Sequence, residues 1–93
     1  MKVILVYDIA TEDTKDQNRL NKVRKVVRKY LHHIQESVFE GKISLSQFER
    51  LKIEVSNVID RNRDSVIVYI FENPTQFKRE FLTNTLDPTD NLI

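Results

Sequence analysis

The chain has 93 residues, 40% hydrophobic and 31% charged, with fifteen Lys or Arg against fourteen Asp or Glu and only one Gly and two Pro, a balance that fits one globular domain rather than a disordered chain. It has no Cys, which excludes a disulfide scaffold, a thiolate metal site and thiol catalysis. No apolar run approaches the ~20 residues of a membrane span, and the run 3–7, closed at once by Asp8, is too short for the core of a signal peptide, so a cytoplasmic protein is expected.

Residues 2–8 are β-branched and aromatic and read as a strand buried on both faces, ending at Asp8. Thr14 with Gln17 three residues on forms a capping box that opens a helix. Apolar residues at 20, 23, 26, 27, 30 and 31 carry that helix from 15 to 31. Residues 33–39 alternate in polarity and read as a second strand. Residues 40–43 read as a turn or bulge followed by a short strand, with Gly41 at a backbone position other residues cannot take. Ser44 and Gln47 make a second capping box, Ile43 and Phe48 a hydrophobic staple. Phe48, Leu51, Val55, Val58 and Ile59 form the stripe of a second helix ending near Asp60, and residues 65–71 are another buried strand.

The order strand, helix, strand, short strand, helix, strand predicts an α+β fold: a ferredoxin-like βαββαβ sandwich with both helices on one face of an antiparallel sheet. It forms one domain, residues 1–93, with its core in 1–71 and an extra C-terminal segment, 72–93. Pro74 breaks the chain, and Phe77 and Phe81 suit a helical turn or a strand equally within 76–83. A chain this small, with an open sheet edge, favours a homodimer in which the C-terminal segment is exchanged.

The near-zero net charge hides an asymmetry. Residues 15–33 carry seven Lys or Arg and one acid, Asp16; the rest of the chain carries eight bases and thirteen acids. Lys15, Lys22 and Lys29 lie seven apart with Lys25 beside their row, while Arg19, Arg24 and Arg28 flank the apolar stripe. A solvated helix face is the plain reading, but such a face usually mixes signs, because like charges at i,i+4 destabilise a helix. A one-sign ridge favours a polyanion, and Arg19, Lys22, Lys25 and Lys29 are the candidate nucleic-acid contacts.

Asp8 is the candidate for chemistry. A carboxylate at a strand end offers a hard oxygen to Mg²⁺ or Mn²⁺. One carboxylate per chain makes a poor site, whereas two chains about a twofold axis would pair two of them. The competing reading is a strand-end Asp that bonds the following loop. His32 and His33 are adjacent and point to opposite faces of a strand, which argues against joint metal binding. Glu36 and Glu40 could assist a metal only if the fold brings them toward Asp8. With one Gly there is no phosphate-cradling loop, which excludes P-loop and dinucleotide binding. Tyr7 and Phe39 stand without the segment an RNA-recognition sheet requires.

Three stretches, Val6-Tyr7-Asp8-Ile9, Arg19-Leu20-x-Lys22-Val23 and Ile34-Gln35-x-Ser37-Val38-Phe39-Glu40-Gly41, together resemble the small CRISPR-associated adaptation proteins of the "Cas-two" family. The resemblance covers residues 1–71 and departs at Leu31, where members often have Gly, and at His33, where Arg is common. It implies a ferredoxin-like fold and a symmetric dimer with Asp8 as the acidic residue near its axis, binding Mg²⁺. It implies a role in spacer acquisition, in which the dimer bridges copies of the CRISPR integrase, "Cas-one", and supports DNA. Some members are reported as metal-dependent nucleases on RNA or DNA. Two functions follow: a Mg²⁺-dependent endonuclease on single-stranded RNA or duplex DNA with Asp8 as catalytic residue and ligand, or a non-catalytic DNA-binding scaffold. The fold alone also admits a toxin-like ribonuclease or a small-ligand module.

Overall fold

In the computed structural model, which describes residues 1–73 and 77–84, six elements follow in the order β1 (Lys2–Asp8), α1 (Thr14–Val27), β2 (His32–Gln35), β3 (Val38–Lys42), α2 (Leu45–Val58) and β4 (Ser65–Phe71). The strands form one sheet in the order β2-β3-β1-β4, with every neighbouring pair antiparallel. This is the expected ferredoxin-like sandwich. β1 is central, and its alternate residues Val3, Leu5 and Tyr7 are buried in one core with Phe39 of β3, Leu20, Val23 and Val27 of α1, and Phe48, Leu51 and Val55 of α2. The helices therefore cover one face of the sheet.

Among the described residues, the opposite face carries no helix. Register places Ile4 beside Tyr69, Val6 beside Ile67 and Asp8 beside Ser65 on it, with Glu40 and Val38 of β3 across β1. β4 is not the buried strand its composition predicts: Ile67 and Tyr69 on this face are 48% and 51% exposed, and Ile70, opposite Val3 on the helix side of this edge strand, is 47% exposed. β1 likewise is buried fully on one face and only half on the other. An edge strand over a bare face keeps its apolar sequence without the cover that composition leads one to expect.

Four local expectations are revised. Asp13, not Thr14, caps α1: its carboxylate accepts from the Asp16 amide at 2.8 Å. Either residue can cap, and the chain uses the one that leaves Thr14 inside the first turn. α1 stops at Val27, after which the bonds from Lys29 to Val26 and from Tyr30 to Val27 close a tighter turn. Leu31 is still buried, so the apolar spacing outlasts the helix. The stretch 33–39 is a hairpin, with β2 and β3 joined at Glu36 and Ser37 and a bulge between His33 and Gln35. Alternation runs through this turn and conceals it. Gly41 lies inside β3 opposite Val3, with no left-handed φ. Its need is space: a Cβ there would meet Leu31 Cδ2 at 3.1 Å. The capping box of Ser44 and Gln47 on α2 forms as predicted.

Residues 77–84 form neither helix nor strand. They lie across the bare face, with the Phe77 ring edge-on to Phe71 at 5.6 Å, the Lys2 ammonium 4.1 Å over Phe77, and Arg79 paired with the buried Glu40. The rest of the expected exchanged segment, 74–76 and 85–93, lies outside the described residues. Among the described residues no helix is long and apolar enough to cross a membrane.

Candidate functional site

β1 delivers Asp8 to the rim of the sheet, where the side-chain alternation turns it to the exposed bare-face side. It opens onto a cleft of about 480 Å³ that Tyr7, Thr11, Arg24, Glu36 and Ser37 also line. The β2–β3 turn is tied to this rim twice. The Tyr7 amide donates to the Ser37 carbonyl at 3.1 Å, and the Tyr7 hydroxyl donates to the Glu36 carbonyl at 3.0 Å. Arg24 Nε donates in turn to the Tyr7 hydroxyl at 3.1 Å. Among the described residues no hydrogen bond or ion pair engages the Asp8 carboxylate. The loop after β1 is instead bonded by Asp64, which accepts from the Ala10 amide at 3.2 Å and the Asp60 amide at 2.8 Å. The loop-bonding role considered for Asp8 belongs to Asp64.

Of the other candidate ligands, Glu36 shares the cleft with Asp8. Glu40 does not: it sits opposite Ile4, further down the sheet, salt-bridged to Lys2 at 3.6 Å and to Arg79. His33 stacks flat on Phe39, with ring centroids 4.4 Å apart. Its Nε2 lies 3.0 Å from the Glu36 carbonyl, which can only accept, so Nε2 carries the proton and Nδ1 is left facing Arg28 at 3.4 Å. Among the described residues no group of three or more His, Asp or Glu is placed to hold a metal ion. One protomer thus offers Mg²⁺ a carboxylate of the right chemistry but not a complete donor set.

The basic helix divides. Lys15, Lys22 and Lys25 are exposed, with no ion pair among the described residues. Arg19 is enclosed: it grips Asp64 through Nε and a terminal nitrogen at 2.6 and 2.9 Å and meets Asp16 at 2.9 Å. Arg63 grips Asp16 from the other side with two bonds of 2.7 Å. The Asp16 and Asp64 side chains are fully buried. The Arg63 guanidinium is the main force holding the Asp16 carboxyl down at about 2, against the opposing effect of burial. Arg19 depresses Asp64 in the same way, and Asp64 raises Arg19. Lys29 bonds Glu54 of α2 at 2.8 Å, and the Tyr30 hydroxyl bonds the same carboxylate. The acids that α1 lacks come from other elements, so Arg19 and Lys29 already have anionic partners while Lys22 and Lys25 do not. Sequence patterning did not single out Arg63 or Asp64. The one signal was Asp16 itself, a lone acid within a basic run.

The model of the family described as CRISPR associated protein Cas2 matches residues 1–79. Among similar proteins, the CRISPR-associated endoribonuclease Cas2 2 of Moorella thermoacetica is 46% identical over 91 residues, spanning 98% of this chain and 100% of that one. The CRISPR-associated endoribonuclease Cas2 of Pyrococcus furiosus is 45% identical over 93 residues, covering both chains completely. The crystal structure of Streptococcus pyogenes Cas2 at pH 6.5 superposes with a TM-score of 0.74 at 29% identity, covering 87% of this chain and 99% of that chain.

Proposed function

Because the chain belongs to the Cas2 family of CRISPR-associated proteins, we propose that it acts in spacer acquisition as a nucleic-acid-binding homodimer with metal-dependent endonuclease activity, Asp8 serving as catalytic residue and metal ligand. The observation that carries this reading is the state of Asp8: an exposed carboxylate at a braced strand end, with no partner of its own among the described residues. Similar proteins bear the name endoribonuclease, which makes single-stranded RNA the first substrate to test and duplex DNA the second.

The bare sheet face supports the dimer. Ile67, Tyr69 and Phe71 are exposed there beside the half-buried Ile4 and Val6, and soluble monomers rarely leave a large contiguous apolar surface open. A twofold axis near this rim would bring a second Asp8. Two facing carboxylates repel unless a cation or a shared proton offsets them, and hard oxygen donors suit Mg²⁺ or Mn²⁺. When bound, such an ion polarises the phosphodiester and makes water more acidic. The chain's own part is to present Asp8 on a rim fixed by Tyr7, Glu36 and Ser37, and to hold the phosphate backbone without reading sequence through Lys22 and Lys25.

A second reading, a non-catalytic DNA scaffold bridging the CRISPR integrase "Cas-one", is favoured by one observation: among the described residues no group of three or more His, Asp or Glu gathers at the rim, only Asp8 and Glu36. Asp8→Asn separates the two. In the endonuclease, cleavage of RNA in Mg²⁺ falls by orders of magnitude, while binding and melting temperature hold because Asp8 has no described partner to lose. Wild-type protein that cleaves neither substrate, together with spacer acquisition that survives Asp8→Asn, establishes the scaffold instead. Cleavage that persists in the variant removes the activity from this site.

A further inference from the structure

The cleft that holds Asp8 also holds a cation whose helical position marks it only as a flank of the apolar stripe. α1 and its cap carry three arginines. Arg19 is enclosed by Asp16 and Asp64. Arg28 is exposed at the C-cap and faces His33. Arg24 is half-buried and turns to the rim, where it lines the cleft with Asp8, Thr11, Glu36 and Ser37.

Its anchoring is unlike that of the other half-buried arginine of this helix. Arg24 Nε donates to the Tyr7 hydroxyl, a neutral oxygen, and that hydroxyl spends its own proton on the Glu36 carbonyl. Tyr7 is itself buried in the core, so the guanidinium is oriented from its Nε edge by a fixed group. No carboxylate pairs with Arg24 among the described residues, and Asp8 and Glu36, though they line the same cleft, form no ion pair with it. The terminal nitrogens keep their donors for something else. A partly desolvated cation is held at a cost unless an anion meets it, and a planar fork of N–H groups fits the paired oxygens of a phosphate.

We infer that Arg24, braced by Tyr7, is a phosphate-binding residue of the Asp8 cleft, taking the non-bridging oxygens of a nucleic-acid phosphodiester through its terminal nitrogens. This rests on the reading of the rim as a phosphodiester site. The assignment gives the cleft a cation, Arg24, that the carboxylates of Asp8 and Glu36 lining it do not neutralise, an arrangement that would seat a phosphate against Arg24 with its cation against Asp8.

The test is fluorescence anisotropy with a short labelled single-stranded RNA in EDTA, where metal-dependent cleavage is silent, across a series of salt concentrations. The proteins are wild type, Arg24→Gln, Arg24→Lys and, as a control on the exposed side of α2, Arg50→Gln. Glutamine is a good helix former, and thermal melts establish that each variant is folded. Arg24→Gln should weaken binding about tenfold, the scale of a charge-assisted bond to phosphate, and lower the log–log salt slope by ~0.7, the loss of one single-strand phosphate contact. Arg24→Lys should keep the slope and lose part of the affinity, and Arg50→Gln should match wild type. Unchanged affinity in Arg24→Gln overturns the assignment. So does weaker binding with an unchanged slope, which marks a disturbed rim rather than a lost contact. Wild type that binds RNA but does not cleave it in Mg²⁺ sinks the endonuclease reading alone, and the anisotropy series still decides Arg24. Wild type that binds no RNA overturns both.

Discussion

Two groups of positive charges on α1 are treated by the fold in opposite ways. On the inner side, Arg19 is locked between two buried carboxylates, and Arg63 comes across from the α2–β4 connection to complete the cluster. These charges fasten the loop after β1 to the loop before β4, and their geometry is closed. On the outer side, Lys15, Lys22 and Lys25 face water. Buried ion pairs are unforgiving of the loss of one partner, because the survivor is left charged and desolvated, whereas exposed charges can be removed at almost no cost to the fold. Charge on one helix therefore serves architecture on one side and is available for ligand on the other.

The largest effect should come from breaking the inner population. Asp16→Ala removes the buried carboxylate that Arg19, Arg63 and the Glu12 amide share, and the melting temperature should drop by roughly 10 °C; calorimetry showing a shift no larger than that of a surface variant would remove the cluster from the stability account. Titration with acid sharpens the same point. The folded pKa of Asp16, about 2, lies below its ordinary value of 3.8, and Asp64 and Glu54 are shifted the same way. Depressed carboxylates contribute stability that is complete above their unfolded pKa and is lost as the pH falls through the folded one. Melting temperature should be level above about pH 5 and fall between about pH 4 and 2, with a shallower fall in Asp16→Asn. The outer population should behave in reverse. Lys22→Gln with Lys25→Gln should leave melting unchanged while reducing the salt slope of duplex binding by about 1.8, the value of two phosphate contacts. Between the extremes sits Lys29, whose partner Glu54 is partly exposed. Glu54→Gln should move the melting temperature by only about 2 °C, and a large shift would place Lys29 with the inner population.

Much of the fold was legible because hydrophobic period survives burial: the buried strand β1, the stripe of α2 and its capping box are written in neighbouring residues. The hairpin at Glu36 and Ser37 was not, since no Gly or Pro marks it and polarity alternates straight through. The exposure of β4 was not either, because composition reports that a strand is apolar and says nothing of whether another layer covers it. At the candidate site, Asp8 could be located from the strand that ends at it. The sorting of Arg19 and Lys29 from Lys22 and Lys25 could not, for it depends on Asp64 and Glu54, which lie 45 and 25 residues away along the chain from their partners. A basic run shows its charge locally, whereas the acids that neutralise it are a property of tertiary structure.

Phe77 and Arg79 hold the C-terminal stretch over Ile4, Val38 and Glu40 on the bare face of the sheet. A second molecule approaching this surface meets that stretch before it meets the strands beneath. Contact of a second molecule with Ile4 and Val38 would first require Phe77 to leave Phe71 and Arg79 to leave Glu40.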